Sequence, residues 1–383
     1  MRNKILTLRF CLLLAAGVLS GLLLPDKYYS ETEKRTLTQK TAISIADFPS
    51  GKMGAEIEKY LADQFPLRNG WITVKTLAQR LSGKTEISGV YFGKGSYLMD
   101  AFTAYDRKQY QANLQALKQL SERISLPMDV MLIPTAAQIL SDKLPAYAPN
   151  LDQKELLAHA QKLGLSTVDV FGALSEHKDE YIYYKTDHHF TSLGAYYCYA
   201  AWMQAQGKAA EPISAWQSQV LCDNFRGTTY NKVNDPFAPC DTITAYYKTL
   251  RHTVNYNDGN YVTDSIYERK YLSGKDQYAV FLNSNQSTTV MSGSGQGKLL
   301  ILKDSYANCF AQFVIDDYAE THLIDMRFFK DSVSDYITEN GITQVLVLYN
   351  IPNFTQAQIP GQKSAPCPPD KMSHGPPHPP MGY

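Results

Sequence analysis

The sequence predicts an α/β protein built on a parallel sheet with helices on both faces. Two observations carry this expectation. From about residue 126, apolar strand-like runs alternate with helical runs. Strands are expected at 129–133, 167–170, 181–185, 298–303, 321–325 and 343–349, with helices at 153–163, 172–177, 192–206 and 306–317. Such alternation is the pattern of strands joined by crossover helices. The second observation is the position of two chemistry-bearing segments, each where a strand-like run gives way to a helical one. There an α/β fold exposes side chains at the carboxyl edge of its sheet.

Taken in order, the 383-residue chain opens with Arg2, Lys4 and Arg9 ahead of an apolar run from Phe10 to Leu24, ended by Pro25. A positive region before a short apolar run reads as a signal for export over residues 1–25. At about fifteen residues the run is short for a spanning helix, which needs ~20. A cleaved signal peptide and an uncleaved signal anchor both remain open, and either places the rest of the chain outside the cytoplasm. Residues 26–125 read as an N-terminal region. It starts as a polar extended stalk to about residue 50, followed by a helix carrying Met53, Ile57, Tyr60 and Leu61 and stopped near Phe65-Pro66. A second helix fits 71–81. Val90-Tyr91-Phe92 and Tyr97-Leu98-Met99 flank a glycine-rich turn as a hairpin, and 106–123 has helical spacing. Residues 126–360 form the α/β domain. Within it, 212–295 break the alternation and read as an irregular β-rich insert with short runs such as Val280-Phe281-Leu282. Gly207 suits the end of the 192–206 helix. A proline-rich tail at 361–383 reads as disordered.

Composition narrows the classes of function. Hydrophobic residues make up 44% and charged residues 19%, as in a globular chain, and the formal net charge is zero. With no basic field to attract phosphates, nucleic-acid partners are set aside. Export permits disulfides. Cys198, Cys222, Cys240, Cys309 and Cys367 follow the signal, and their odd number argues against a full framework. Cys222 with Cys240 is the best candidate pair. No C-x-x-C spacing occurs, and Cys367, His374 and His378 in the tail offer only weak metal ligands.

The chemistry concentrates in two places. Thr186-Asp187-His188-His189-Phe190-Thr191 packs an acid and two imidazoles into consecutive positions. In an extended segment residues two apart share a face, so Asp187 can orient His189 while His188 faces away. At the second place, strand 298–303 is followed at once by Asp304-Ser305 and a helical run from Tyr306. A serine on a tight strand-to-helix turn, beside helix N-terminal amides, has the geometry of an activated nucleophile with oxyanion donors nearby. Ser305, His189 and Asp187 together make a triad: the imidazole takes the hydroxyl proton and the carboxylate holds its tautomer. The Ser305 or Tyr306 amide would meet the oxyanion, with Asn308 or Arg327 as side-chain donors. Arg327 equally suits an ion pair, and Asn308 a bond within the first helical turn.

These segments carry a resemblance. Thr186–Thr191 resembles the signature of the DHHW protein family, with Phe190 in place of its tryptophan. The family is similar to the SGNH-hydrolase-like proteins of alginate O-acetylation. Lys303-Asp304-Ser305-Tyr306-Ala307-Asn308 resembles the family's nucleophile turn, and Ile324-Asp325-Met326-Arg327-Phe328-Phe329 its later Asp-x-Arg-aromatic motif. Asp63-Gln64-Phe65-Pro66-Leu67-Arg68 and Gly89-Val90-Tyr91-Phe92-Gly93 add to a likeness running from about 30 to 355. It implies an SGNH-hydrolase-like fold and an extracytoplasmic O-acyltransferase or esterase acting on a polysaccharide. It also implies a membrane-bound O-acyltransferase as partner and acyl supplier. A Ser-His-Asp mechanism needs no cofactor.

Two other readings compete. Asp187, His188 and His189 are all metal-ligand types, but adjacent ligands in an extended segment point apart, and no H-x-x-H or D-x-D-x-x-G supplies a partner. A non-catalytic glycan-binding or scaffold protein of the cell envelope would carry a similar sequence, with its tyrosines stacking on sugar rings.

Overall fold

The computed structural model describes residues 2–30, 35–39, 52–248 and 251–357. The chain divides into two units, Met1–Ala78 with Lys363–Tyr383, and Gln79–Gln362. The 361–383 tail, with Cys367, His374 and His378, lies outside the described residues.

The first unit begins with α1 (Arg2–Leu23). Among the described residues no helix is long and apolar enough to cross a membrane. The described residues of the expected stalk, 26–30 and 35–39, are more structured than the sequence implied. Strands β1 (Tyr29–Ser30) and β2 (Arg35–Thr36) pair antiparallel. The end of α2 (Lys52–Gln64) fastens the segment, because the Asp63 carboxylate accepts from Thr38 N and Oγ1, both at 2.9 Å, and Gln64 bonds Lys27 and Thr38. Helix α2 stops at Phe65-Pro66, as expected, and α3 (Arg68–Leu81) follows.

The second unit takes in the hairpin and helix that the sequence grouped with the N-terminal region. Strands β3 (Glu86–Ile87), β4 (Val90–Phe92) and β5 (Leu98–Asp100) form a small antiparallel sheet. Tyr91, Tyr97, Met99 and Phe102 belong to the main core of the domain. Then come α4 (Arg107–Arg123), β6 (Met128–Ile133), α5 (Ala136–Ile139), α6 (Gln153–Lys162), β7 (Ser166–Thr167), α7 (Val170–Glu176) and α8 (Ser192–Ala205). Gly207 follows α8 with φ 70°, as a helix-ending glycine should. The insert holds β8 (Gln217–Phe225), α9 (Thr228–Val233), β9 (Asp241–Tyr247), β10 (Val254–Tyr256), β11 (Tyr261–Thr263) and β12 (Thr288–Ser292). The chain closes with β13 (Lys298–Lys303), α10 (Tyr306–Val314), β14 (Glu320–Asp325), α11 (Val333–Glu339), β15 (Gln344–Asn350) and α12 (Ile351–Phe354).

The protein is α/β, with a mostly parallel central sheet. Its order is β11-β10-β12-β14-β13-β15-β6-β7. The run from β14 to β7 is parallel, and β12, β10 and β11 extend it antiparallel. Leu299 to Leu302 and Val345 to Leu348 are each at most 1% exposed. Successive strand residues face opposite sides, so burial of consecutive positions means that both faces are covered. Helix α8 packs against α7 and α10.

Three expectations need correction. Residues 181–185 form no sheet strand; Tyr183 makes a single bridge to Phe190, and the segment is a loop leading into α8. Aromatic side chains drive it inward for packing, which the sequence pattern does not separate from strand burial. The β-rich insert contributes β10 to β12 to the central sheet, but one of its expected runs is not a strand. Within it, 277–280 is a 3₁₀ turn and Leu282, Asn283 and Ser284 all have positive φ, so no strand forms at Val280-Phe281-Leu282. Finally, Cys222 and Cys240 are free thiols. Cys222 pairs with Ile243 across the β8–β9 ladder. That sets Cys240 three residues along the strand direction, ~10 Å away, beyond the reach of a disulfide.

Candidate active site

Strand β13 lies between β14 and β15, and its end delivers Asp304 and Ser305 to the carboxyl edge of the sheet. The buried Asp304 carboxylate shapes the turn. One oxygen accepts the Tyr306 N–H at 2.9 Å; the other accepts the Asn350 N–H at 2.9 Å and the Asn353 amide at 2.7 Å. Burial pushes its pKa up against these bonds. Ser305 precedes α10 with φ −64° and ψ −17°, an unstrained backbone, and its side chain makes no cap bond, leaving Oγ free to turn outward.

The partner segment is held by other means. Thr191 caps α8 and binds back to the Tyr181 carbonyl at 2.6 Å, so the loop before the helix is fixed at its base. His189 stands between the two predicted partners. Its Nε2 is 2.7 Å from Ser305 Oγ and its Nδ1 is 2.5 Å from Asp187 Oδ1. The other Asp187 oxygen accepts from Thr228 N at 2.7 Å and Thr228 Oγ1 at 2.9 Å. The Tyr278 ring stacks on the imidazole of His189 at 3.9 Å and 11°. Burial raises the Asp187 carboxyl, but His189 and His188 outweigh it and hold the group well below the usual carboxylate range. Burial, with His188 beside it, pushes His189 down to about 4, so the ring is neutral near pH 7 and can accept a proton. Phe190, in the place of tryptophan, is fully buried and meets Tyr306 edge to face.

His188 does not face away. The segment is not extended, and the His188 ring lies 3.9 Å from that of His189, with Nδ1 2.6 Å from Thr228 Oγ1. The ligand atoms of Asp187, His188 and His189 accordingly fall within 4.8 Å of one another, contrary to the expectation that neighbours point apart. Those of Asp187 are already committed to His189 and Thr228.

The expected oxyanion donors fare differently. The Tyr306 amide is taken by Asp304, and its hydroxyl by the His188 carbonyl. The Asn308 amide donates to the Ser284 carbonyl at 3.2 Å while its oxygen accepts from Lys303 Nζ at 2.7 Å. Arg327 forks onto Asp325, with Nε at 2.8 Å and Nη2 at 2.5 Å, which is the ion-pair alternative. Two donors remain. The Ser305 N–H has no partner among the described residues. Asn285 presents its oxygen to Lys303 Nζ at 3.1 Å. An ammonium only donates, so the amide oxygen of Asn285 is the atom held by Lys303, and its NH₂ is not used in that bond. Lys303 is 1% exposed, and burial, opposed by Asp325, lowers it to about 8.

Thr228, Tyr278 and Asn285 escaped the sequence reading because all three lie in the insert, where no periodicity marks them. For Asp304 the sequence does carry a signal, a carboxylate directly beside the serine. Beside the site lies a cavity of about 390 Å³, lined by Asp187, His188, Tyr306, Asn350, Asn353 and Lys232 among others.

Fold and site thus define an α/β protein with a carboxylate–imidazole–serine relay at the edge of its sheet. The DHHW protein family matches residues 76–324, and the chain belongs to that family. The match is narrower than the expected likeness over 30–355, and Arg327 lies beyond it. Among solved structures the chain is similar to a DHHW family protein from Eubacterium siraeum DSM 15702. The TM-score is 0.60 at 24% identity, over 70% of this chain and 93% of that one. It is also similar to Bacillus cereus PatB1, with TM-score 0.58 at 20% identity over 68% of this chain and 95% of that one. PatB1 has also been solved with a sulfonyl adduct. No curated protein matches the chain.

Proposed function

We propose that the protein is an O-acyltransferase or acylesterase of polysaccharide, with Ser305 as nucleophile, His189 as base and Asp187 as its orienter. The observation that carries this is the unbroken relay from Asp187 through His189 to Ser305 Oγ. In the first half-reaction His189 takes the Ser305 proton as Oγ bonds to the acyl carbon. The bond to the donor's oxygen then breaks, and that oxygen leaves with the proton from His189. The Ser305 N–H is the donor proposed for the developing oxyanion, with the Asn285 NH₂ proposed as the second. In the second half-reaction a sugar hydroxyl gives its proton to His189 and takes the acyl group, restoring Ser305. The cavity beside His188 is where the acceptor would approach. Water in that place makes the same site an esterase, so exclusion of solvent sets the outcome.

The reading extends to setting. The basic residues before the apolar run support export, with the working site outside the cytoplasm and the protein either released or held by its first helix. A membrane-bound O-acyltransferase is the proposed acyl supplier, since acyl donors must otherwise cross the membrane. Hydrolysis of p-nitrophenyl acetate by the wild-type chain, abolished in Ser305→Ala, tests the reaction class. Equal hydrolysis in both would defeat it.

A further inference from the structure

Asp187 is tied to two imidazoles, and only one of them meets Ser305. Its Oδ1 contacts His189 Nδ1, and His189 Nε2 faces Ser305 Oγ. Its Oδ2 accepts from Thr228 Oγ1 at 2.9 Å, and that hydroxyl is in turn 2.6 Å from His188 Nδ1. This second branch fixes a tautomer. The Asp187 carboxyl is held well below the usual carboxylate range, so it is ionised and only accepts. The single hydroxyl proton of Thr228 therefore goes to Asp187, and the hydroxyl oxygen must accept from His188 Nδ1–H. A neutral His188 ring then carries its proton on Nδ1 and its lone pair on Nε2. No partner holds Nε2 among the described residues.

The His188 ring lines the cavity of about 390 Å³ beside the site, together with Asp187 and Tyr306. It lies 3.9 Å from the ring of His189, and 29% of its side chain is exposed. An open acceptor atom in that place suits a hydroxyl donor. The same cavity holds another. Asp100 gives Oδ2 to Lys232 Nζ at 2.7 Å, while its Oδ1 is buried with no partner among the described residues. A buried acceptor left unpaired is unfavourable until a donor reaches it. Asp100 and Lys232 pair with each other and Asp187 is committed, so open hydrogen-bond acceptors, not net charge, mark this wall.

We propose that His188 selects the acceptor: its Nε2 takes a hydrogen bond from a hydroxyl adjacent to the one that is acylated, so the acceptor is a vicinal diol, as on a sugar ring. Two rings this close can each meet one oxygen of the same diol, His189 the reacting one and His188 its neighbour. The cavity volume accommodates a sugar residue. The inference rests on the proposed acyl transfer and adds the residue and the substrate feature that favour a sugar over water.

The test is the partition of the acetyl group between water and an alcohol, with p-nitrophenyl acetate as donor. The acceptors are 1-propanol and 1,2-propanediol at equal concentration, which differ by one adjacent hydroxyl. The wild type should form about fivefold more ester, relative to acetate, with the diol, as one added hydrogen bond allows. His188→Ala should lose that preference, while p-nitrophenol release still depends on Ser305. His188→Gln, whose amide oxygen can reach the Nε2 position, should restore part of it, which a merely structural histidine would not show. Equal partition to the two alcohols in the wild type, transfer to neither included, would overturn the inference. A preference undiminished in His188→Ala would do the same, and both results leave Ser305-dependent hydrolysis intact. Release that does not depend on Ser305 would overturn the acyl-transfer reading and this inference with it.

Discussion

Gly227 and Asp187 are in contact where no larger residue fits: a Cβ on Gly227 would lie 2.2 Å from Asp187 Oδ2. The backbone there, at φ −94°, is open to any residue, so the glycine is required by the close approach alone. Gly227→Ala should therefore push the carboxylate off His189 Nδ1. We expect a fall in kcat on the order of a hundredfold or more, with the fold retained at a cost of about 1–3 kcal/mol. Ester hydrolysis and thermal unfolding measured on one preparation separate the two effects.

The depressed pKa of His189 sets the acid limb of the reaction. Burial and His188 bring it to about 4, so kcat/KM should hold from neutral pH down to about 5 and fall below that. The charged groups whose fields reach the ring are His188, Asp187 and Arg327. His188→Ala removes a repelling charge, so the limb should move to higher pH, while the rate near pH 7 changes much less than in His189→Ala. Folding has the matching sign. Between about 4 and 6.5 the unfolded chain binds the proton that native His189 refuses, so stability from this group is lost as pH falls through that window. A limb near the ordinary histidine value would show that the ring is not desolvated in solution.

Asn285 separates catalysis from support. Asn285→Ala and Asn285→Asp should both lower kcat by about a hundredfold with KM little changed, since each removes the NH₂ proposed as the second oxyanion donor. Asp would still give Lys303 an oxygen. Full activity in Asn285→Asp would mean that only the bond to Lys303 matters.

Much of this was legible in the sequence. The strands at 298–303 and 129–133 carry continuous apolar runs, and α8 and α10 have clear starts, so the parallel core and the Ser305 turn could be read directly. Asp187 and His189 were paired by spacing, yet on the wrong premise. The pairing comes from a loop in which Oδ1 accepts both the His189 amide and its ring, which also brings His188 alongside. What the sequence hid are the contacts made at long range. Thr228 on Asp187, Tyr278 on His189 and Asp241 on Thr186 all come from the insert, and only the folded chain brings them to the 186–189 loop.

Asp304 should matter for stability more than for chemistry. Asp304→Ala leaves the Tyr306 and Asn350 amides and the Asn353 side chain without their acceptor in a buried turn. Each such group costs about 1–3 kcal/mol, so a loss of at least about 3 kcal/mol is expected in urea unfolding. A loss under about 1 kcal/mol would mean that the turn is held by other contacts.

The central claim is a covalent acyl-Ser305. Intact-mass spectrometry of the chain after brief exposure to an activated acetyl ester measures it directly. The relay predicts a gain of ~42 mass units in the wild type, the acetyl group replacing the hydroxyl proton, on the peptide containing Ser305 and absent from Ser305→Ala. The same gain in Ser305→Ala would place the nucleophile elsewhere and contradict the account.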